Sequence, residues 1–489
     1  MRVFLATSLA LFVSGCSLIY NPSNIVKPDA AHDAAPDMKP GPMDAPEMIT
    51  DANPAALTLT SVEPPAILEG QGSDGSRQAV LVIHGTNLVA GATIAITAKN
   101  TGDTPMVASM TGGEVVGADH NFIAVPVSAA VNSSCDSNTL PLTVTVTQSG
   151  AAPVTIDWTL TCLPQINQST DLTLPTGQVN QFSELVLTGT ATVVAADHND
   201  KLLVRATGNL SVAGAIDVSG SGQTPGPGGF GGGDASKAGG GTGGGSPGGG
   251  LLGGGGGGGA GYHDKGTDGT GSVAGGPAQG DIPMTAGYAA NFASGGGGGD
   301  GVGGGGGGTV ELTAGGTLTT HMITSKGANG GGGGLAGSGG GGGAGGTVVL
   351  RGTAISAMGA VSVAAGTGGS GGGGDGSIGR IRIDTPSFTG TAPSGAYTGL
   401  SIDPATPVIT NSATPTVTIH GTAGARYDIF TLDQNNNIKD EDDNKLLGGT
   451  TGQMMPQVHW GWNRVCIVPH GGSPTTVESA SCVDLAFLP

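Results

Sequence analysis

Runs of glycine constrain this chain more than any other feature of its sequence. Glycine supplies 98 of the 489 residues and concentrates in runs such as 253–259, 295–299 and 303–308. A run without side chains has no apolar surface to bury, and aromatic residues make up only 3% of the chain. The chain therefore cannot fill one thick core along its whole length. We expect small β modules joined by thin, repetitive or disordered segments.

The glycine runs have two interpretations between which the sequence does not decide. In the first they are flexible linkers, as glycine-rich chains commonly are. In the second they pack as extended, polyproline-II-like segments, because backbones without side chains can approach closely and hydrogen-bond to their neighbours. The runs recur between apolar segments instead of standing alone, and this recurrence favours some order.

Three segments within 165–390 share one pattern of short apolar strands. They are 202–222, 310–330 and 348–368, and each opens on an apolar pair two residues apart and ends in glycines. The pairs are Leu202/Val204, Val310/Leu312 and Val348/Leu350, and partial copies occur at 185–187 and 381–383. Short strands at a repeated spacing are typical of a β-solenoid, in which each rung buries its apolar face only by stacking on the next. We predict an all-β protein with a glycine-rich, β-solenoid-like region over 165–390.

Residues 56–164 are predicted to form a β-sandwich. Apolar and polar residues alternate over 142–147 and 156–162, which indicates strands with one buried face. Residues 59–64 and 81–88 (LTSVEP and LVIHGTNL) resemble the IPT/TIG family of Ig-like domains, although 67–76 lacks the glycine-proline turn that is usual there. The resemblance implies a stalk or binding module on a cell surface, without catalytic residues of its own.

Residues 401–489 are predicted to form a second Ig-like sandwich. The segments 416–424 and 427–430 (TVTIHGTAG and YDIF) resemble bacterial Ig-like repeats of secreted proteins. A later strand carries Cys466, and the chain closes on a short strand that contains Cys482.

The amino terminus predicts a covalent route to a membrane. Arg2 is followed by an apolar run at 3–13, which is too short to span a bilayer and suits the core of a signal peptide over 1–15. Residues 13–16 (VSGC) resemble the lipobox of bacterial lipoproteins, which implies that Cys16 is acylated and becomes the first residue. Ser17 after the cysteine implies sorting to the outer membrane. The stretch 16–55 is rich in Pro, Ala and Asp and is predicted to be an unfolded tether.

The remaining cysteines fall into two local pairs. Cys135 and Cys162 lie in the first predicted sandwich, and Cys466 and Cys482 lie in the second. Of the three connectivities open to four cysteines, only this one keeps each bridge within a module. Disulfides indicate an oxidising compartment beyond the inner membrane, whereas free buried thiols would be the other interpretation.

Net charge excludes two classes of partner. Lys and Arg total 17 against 36 Asp and Glu, so the net charge is −19. Nucleic-acid binding needs clustered positive charge, and so does adhesion to anionic lipid headgroups. We therefore predict no nucleic-acid partner, and membrane attachment through the lipid anchor alone.

One acidic segment is a candidate metal-binding loop. In 433–443 (DQNNNIKDEDD), the oxygen ligands Asp433, Asn435 and Asn437 stand at alternate positions, as in a calcium loop, and Asp440 is a further candidate ligand. However, Ile438 stands where such a loop needs glycine, and Asn444 stands where it needs a bidentate Glu. Calcium is thus one expectation, and a solvated acidic hairpin tip is the stronger one.

The aromatic pair Trp460 and Trp462 is predicted to share one face of a strand. Exposed, the two rings would stack on sugars; buried, they would belong to the core of the sandwich, which is the more common place for large aromatics.

The sequence contains only weak candidates for a catalytic site. Matches to G-x-S-x-G and G-x-G-x-x-G lack the strand and helix that those motifs need. His198 suits a turn between rungs. Arg351, Arg380, Arg382 and Asp384 are candidates on the solenoid, but Arg380 and Arg382 alternate with isoleucines and are expected simply to point outward.

We therefore expect no catalytic residues. The leading hypothesis is a non-catalytic lipoprotein displayed on the cell surface as a structural or adhesive scaffold, with a glycan or protein ligand. The second is a surface-anchored, polysaccharide-active enzyme on a β-helix scaffold. A component that faces the periplasm is a third.

Overall fold

The computed structural model describes residues 56–72, 79–98, 114–116, 121–129, 139–249, 256–279, 293–334, 338–357, 359–473 and 481–488. These residues belong to one compact unit, Pro54–Pro489. Their regular elements are β-strands together with one short 3-10 turn, Thr270–Ser272. The prediction of an all-β protein is confirmed for this part of the chain. Within the same ranges, no helix is long and apolar enough to span a bilayer.

The first module consists of two four-stranded sheets, β1-β3-β6-β5 and β2-β8-β7-β4, which we call the N-terminal sheet pair. Leu142, Val144 and Val146 are buried between the sheets, as their alternation predicted, and Trp158 and Leu160 pack in the same core. The strands are β1 (Thr58–Glu63), β2 (Ala66–Leu68), β3 (Ala79–Thr86), β4 (Thr93–Ala98), β5 (Glu114–Val116), β6 (Phe122–Val127), β7 (Thr139–Thr147) and β8 (Val154–Thr161).

The middle of the chain is a stack of parallel strands, which we call the rung stack. One face is the six-stranded parallel sheet β11-β14-β16-β18-β21-β23, and a nine-stranded parallel sheet forms the rest. The chain returns to the six-stranded sheet once in every circuit. The strands are β9 (Gln165–Gln168), β10 (Leu172–Leu174), β11 (Val179–Phe182), β12 (Glu184–Leu187), β13 (Val193–Ala195), β14 (Leu202–Ala206), β15 (Leu210–Asp217), β16 (Thr309–Ala314), β17 (Thr317–Thr324), β18 (Thr347–Arg351), β19 (Ala354–Ala357), β20 (Val361–Ser362), β21 (Arg380–Asp384), β22 (Ser387–Thr389) and β23 (Ala396–Thr398).

Like residues stack on like residues along the rung stack. Leu202 pairs with Val310, Val310 with Val348, and Val348 with Ile381, so the first members of the predicted apolar pairs form one buried column. The segment 381–383 therefore continues the repeat. The segment 185–187 does not, because Leu185 pairs with Leu210 in the nine-stranded sheet. It corresponds to the second strand of the repeat, which has the same apolar alternation.

The glycine-rich segments all leave the rung stack at the same point of its circuit. They lie between β15 and β16, between β17 and β18, and between β20 and β21, so each returns to the six-stranded sheet. Where they are described, they run close together and hydrogen-bond to one another. Residues 295–299 show the pattern, because they exchange backbone hydrogen bonds with 233, 240, 245, 258, 304 and 341. A strand in a sheet has only two neighbouring strands, whereas this segment has more.

Close approach explains why these segments are glycine. A Cβ atom on Gly341 would lie 2.0 Å from the carbonyl oxygen of Gly258, and one on Gly257 would lie 2.1 Å from that of Gly297. Both distances are far inside van der Waals contact. Of the two interpretations left open by the sequence, packed extended segments are therefore what the described glycines form. We call this part of the molecule the glycine bundle.

The last module, the C-terminal sheet pair, consists of the three-stranded sheet β24-β26-β29 and the five-stranded sheet β25-β31-β30-β27-β28. Tyr427, Ile429, Val465 and Ile467 lie in the core between them. The strands are β24 (Ser401–Ile402), β25 (Ile409–Thr410), β26 (Val417–His420), β27 (Arg426–Leu432), β28 (Ile438–Leu446), β29 (Thr451–Met454), β30 (Gly461–Pro469) and β31 (Ser481–Phe487).

The two sheet pairs pack on each other, although more than 230 residues separate them in the chain. Val80, Val82 and Ala124 of the N-terminal pair form one buried apolar cluster with Trp462, Ala486 and Leu488 of the C-terminal pair. The amide of Gln71 donates to Asp484 across the same contact, at 3.4 Å. The rung stack is thus a long insertion between two modules that meet.

Each sheet pair is also tied to the rung stack. The hydroxyl of Thr207 donates to the carbonyl oxygen of Glu69 in the N-terminal sheet pair. On the other side, the hydroxyl of Thr422 donates to the carbonyl oxygen of Thr398, at 2.8 Å.

Candidate functional site

Four charged side chains gather on the face of the six-stranded sheet that lies opposite its apolar column. Arg351 forms an ion pair with Glu311, and its Nε lies 2.9 Å from Oδ2 of Asp384. The other oxygen of Asp384 accepts a hydrogen bond from Nε of Arg382, at 2.5 Å. The register explains the cluster, because Arg351 is paired with Asp384 on the next strand.

The expectation that Arg380 and Arg382 simply point outward is only half right. Both lie on the face opposite Ile381 and Ile383, but that face is not exposed, and Arg382 has only 1% of its surface accessible. Alternation in a single strand reports which face a side chain occupies, and it carries no information about what covers that face. Both carboxylates of the cluster are engaged by guanidinium groups, so the arrangement stabilises charge and does not leave an acid and a base facing a substrate.

A tyrosine of the glycine bundle anchors the bundle to this sheet. Tyr262 is buried, its ring lies under the guanidinium of Arg380 at 4.7 Å, and its hydroxyl is 2.6 Å from that of Thr347. Burial raises the pKa of Tyr262, because the phenolate would be desolvated there. The neutral phenol therefore acts as a fixed hydrogen-bonding contact.

In the acidic hairpin β27–β28, the predicted calcium ligands Asp433, Asn435 and Asn437 lie together, with Asp433 accepting hydrogen bonds from the other two. Asp433 accepts hydrogen bonds from the backbone N–H groups of Asn435 and Asn437 and from the side-chain amide of Asn437, and Lys439 lies 3.0 Å from it. Burial acts to raise the pKa of Asp433, but these donors outweigh it and hold the pKa well below its ordinary value. Asn435 and Asn437 thus supply donors to Asp433 where a cation would need oxygen acceptors.

Asp440 lies on β28 beyond that turn, paired with Thr431. Within the described ranges, no three His, Cys, Asp or Glu side chains converge as metal ligands would.

The predicted cysteine pairing is present in the C-terminal sheet pair. Cys466 and Cys482 are directly opposite each other on β30 and β31 and form a disulfide. Cys162 is also disulfide-bonded, whereas its predicted partner Cys135 lies outside the described residues, as do Cys16 and the whole of 1–55.

His198 lies in an exposed loop between β13 and β14, in line with its expected position between rungs. Its carbonyl oxygen accepts a hydrogen bond from Gly228, at 3.2 Å.

The two tryptophans have different environments. Trp462 lies in the contact between the sheet pairs with 4% of its surface accessible, whereas Trp460 is 59% exposed. Gly461 between them has a φ of +92°, a conformation that favours glycine and interrupts the regular strand alternation. Strand alternation predicted one shared environment, and the positive φ of Gly461 explains why there are two.

Trp460 lies beside a group of aromatic and polar side chains. Its ring is edge-on to Phe122, with centroids 6.4 Å apart, and Phe122 is edge-on to His84 at 4.6 Å. Nε2 of His84 lies 3.1 Å from Oε1 of Glu63, and the side-chain amide of Gln434 donates to the same oxygen at 3.2 Å. We call these five residues, Glu63, His84, Phe122, Gln434 and Trp460, the Trp460 cleft.

The walls of the Trp460 cleft come from both sheet pairs. The second oxygen of Glu63 accepts the backbone N–H of Trp462, at 3.4 Å. His459 lies beside this group, and burial, assisted by Lys439, lowers its pKa and favours the neutral imidazole. The Nε2 atom of His459 is buried and has no hydrogen-bond partner among the described residues.

Sequence reasoning identified Trp460 and missed the rest of the cleft. Glu63 and Gln434 are 371 residues apart in the chain, and only the packing of the two sheet pairs brings them together. No local motif signals such a contact.

Comparison with known proteins adds no further assignment. No family model, no curated protein and no solved structure matches this chain.

Proposed function

We propose that this protein is a non-catalytic lipoprotein of the bacterial cell envelope, displayed on the outer membrane as a structural or adhesive scaffold. Its anchor would be the lipid carried by Cys16, and the stretch 16–55 would be the tether between lipid and folded unit. The proposal rests on the lipobox-like residues 13–16 and on the signal-peptide pattern before them.

The proposal also assigns a fold type to each module of the chain. The rung stack has the circuit and the parallel register of a β-solenoid, and the two sheet pairs are consistent with Ig-like sandwiches, the first of them IPT/TIG-like. Modules of these kinds commonly build stalks and binding surfaces outside cells.

The non-catalytic part of the proposal rests on the pairing of the buried charged groups of the six-stranded sheet. Glu311, Arg351, Arg382 and Asp384 satisfy one another in buried pairs. A polysaccharide-active enzyme on the same scaffold would need carboxylates free to exchange protons with a sugar in a groove. The glycine bundle points the same way, because hydrogen bonds between its backbones build a rigid body from residues without reactive side chains.

Lipid attachment is tested by replacing Cys16 with Ala in cells fed radiolabelled palmitate. We expect the label and the membrane association to be lost, while the matched variant Ser17→Ala keeps both. Unchanged labelling of the Cys16→Ala protein would contradict the proposal.

Surface display and the absence of turnover need separate measurements. Protease added to intact cells should degrade the folded unit, whereas protection until the outer membrane is permeabilised would place it in the periplasm. Purified protein should release no reducing ends from polysaccharides; release that disappears in a Glu311→Gln variant would establish the enzyme hypothesis instead.

A further inference from the structure

We propose that the Trp460 cleft is a binding site for a neutral saccharide, with one sugar ring stacked on Trp460. This inference rests on the proposed scaffold function and names the chemical class of ligand that the scaffold would hold.

The first argument is the exposure of Trp460. A tryptophan side chain is among the largest apolar groups in a protein, and leaving 59% of it in water forfeits most of the free energy that its burial would supply. Its neighbour Trp462 shows that a buried site was available in the same segment. The face of an indole ring is apolar and comparable in size to a pyranose ring, whose C–H groups form an apolar patch.

The second argument is the set of polar groups beside the ring. Sugar hydroxyls both donate and accept hydrogen bonds, so a saccharide site needs acceptors and donors close to its stacking face. Glu63 supplies carboxylate oxygens and Gln434 supplies an amide, and both residues are partly accessible. The hydrogen bond from Gln434 to Glu63 holds both side chains in place before a ligand arrives, so little conformational entropy is lost on binding.

The charge of the cleft favours a neutral ligand. Glu63 is already in contact with His84, and the nearby Lys439 is paired with Asp433. An acidic sugar would meet the Glu63 carboxylate and the net charge of −19. A cationic ligand would compete with the Gln434 amide and the Trp462 backbone N–H for the Glu63 carboxylate, whereas a sugar hydroxyl needs only one of its remaining lone pairs.

The cleft is also tied to the architecture. Glu63, His84 and Phe122 belong to the N-terminal sheet pair, whereas Gln434 and Trp460 belong to the C-terminal one. The site is complete only when the apolar contact of Val82 and Ala124 with Trp462 is formed.

Intrinsic fluorescence of the full-length protein provides a direct test. The chain has three tryptophans, and Trp158 and Trp462 are both buried, so acrylamide quenching reports chiefly on Trp460. Three neutral probes are titrated separately: cellohexaose, maltohexaose and the hexamer of N-acetylglucosamine. We expect at least one to give a saturable blue shift and to protect Trp460 from acrylamide.

Substitutions test whether the saccharide binds at the Trp460 cleft. In titration calorimetry with the active probe, Trp460→Ala should weaken binding by about tenfold or more, and Gln434→Ala by a smaller factor. Trp460→Phe should retain part of the affinity, because the stacking face remains. Ile378→Ala, which truncates an apolar side chain that is 50% exposed on the rung stack, should bind within about twofold of the native protein.

Three results would overturn the proposal. It is wrong if none of the three probes protects Trp460 at about 10 mM, a concentration that would reveal even weak binding. It is equally wrong if Trp460→Ala binds as well as the native chain, or if Ile378→Ala loses as much. None of these results bears on lipid attachment, and loss of the Cys16 proposal would not change the outcome of this titration.

Discussion

Replacing Gly341 with Ala should destabilise the whole folded unit, although it adds one methyl group. The new Cβ would lie 2.0 Å from the carbonyl oxygen of Gly258, which is backbone and has no rotamer to change. Relief requires a separation of the two segments by about 1 Å. Gly341 also donates to Gly297 at 2.7 Å and accepts from Gly304 at 2.8 Å, so the same movement strains two further hydrogen bonds.

These contacts give the expected loss in the free energy of unfolding. Overpacking in a close-packed interior costs about 1–3 kcal/mol, and weakening two backbone hydrogen bonds adds about 1 kcal/mol each. The total is about 3–5 kcal/mol. At an unfolding entropy of about 2.1 cal/mol/K per residue, each kcal/mol lowers the melting temperature of a unit this large by roughly 1 °C.

The matched control is Gly334→Ala, because a Cβ at Gly334 meets no atom of the described residues within 4 Å. Alanine there should leave the stability unchanged or raise it by about 0.5 kcal/mol, since it restricts the unfolded chain. Calorimetric melting of both variants beside the native protein measures the difference. If Gly341→Ala melts within about 1 °C of the native protein, or if both variants fall equally, the close packing of the glycine bundle is refuted.

Three further predictions concern charged groups. Arg351→Ala should lower the free energy of unfolding, measured with denaturant, by about 3–5 kcal/mol, because Glu311 and Asp384 lose a buried guanidinium. Adding Glu311→Leu should restore part of this stability. If it restores none, the pairing is contradicted. Burial lowers the pKa of His459, so the stability it contributes is complete above its ordinary pKa of 6.5 and is lost as the pH falls toward the lowered value. The melting temperature should therefore drop between pH 7 and 5, and His459→Gln should show a smaller drop. Calcium at about 1 mM should leave the melting temperature unchanged, because the donors around Asp433 already occupy its carboxylate; a rise that Asp433→Asn abolishes would refute this.

Sequence patterning predicted what depends on neighbours in the chain. The pairs Leu202/Val204 and Val310/Leu312 recur at equivalent positions of the repeat, and stacking the repeats buries them. Their register in the six-stranded sheet follows from that requirement. The pairing of Cys466 with Cys482 was predictable for a similar reason, because their segments lie close in sequence.

What depends on distant segments was not predictable. Arg382 looks like an outward residue in its own strand, and only the tertiary structure shows that it is buried. The glycine runs had two interpretations because a backbone without side chains carries no pattern that reveals its neighbours. The contact of Val82 with Trp462 joins modules that a linear reading separates by the entire rung stack.

The contact between the sheet pairs also determines how the chain can change in length. The rung stack begins directly after the N-terminal sheet pair and ends directly before the C-terminal one, and each circuit advances by about 4.8 Å, the spacing of neighbouring strands. Inserting or deleting one circuit would move one sheet pair past the other by that distance and pull apart the surfaces that now touch. We therefore expect the number of circuits to be constrained by this contact, and changes in length to be accommodated in the glycine-rich excursions, which connect successive strands of the six-stranded sheet.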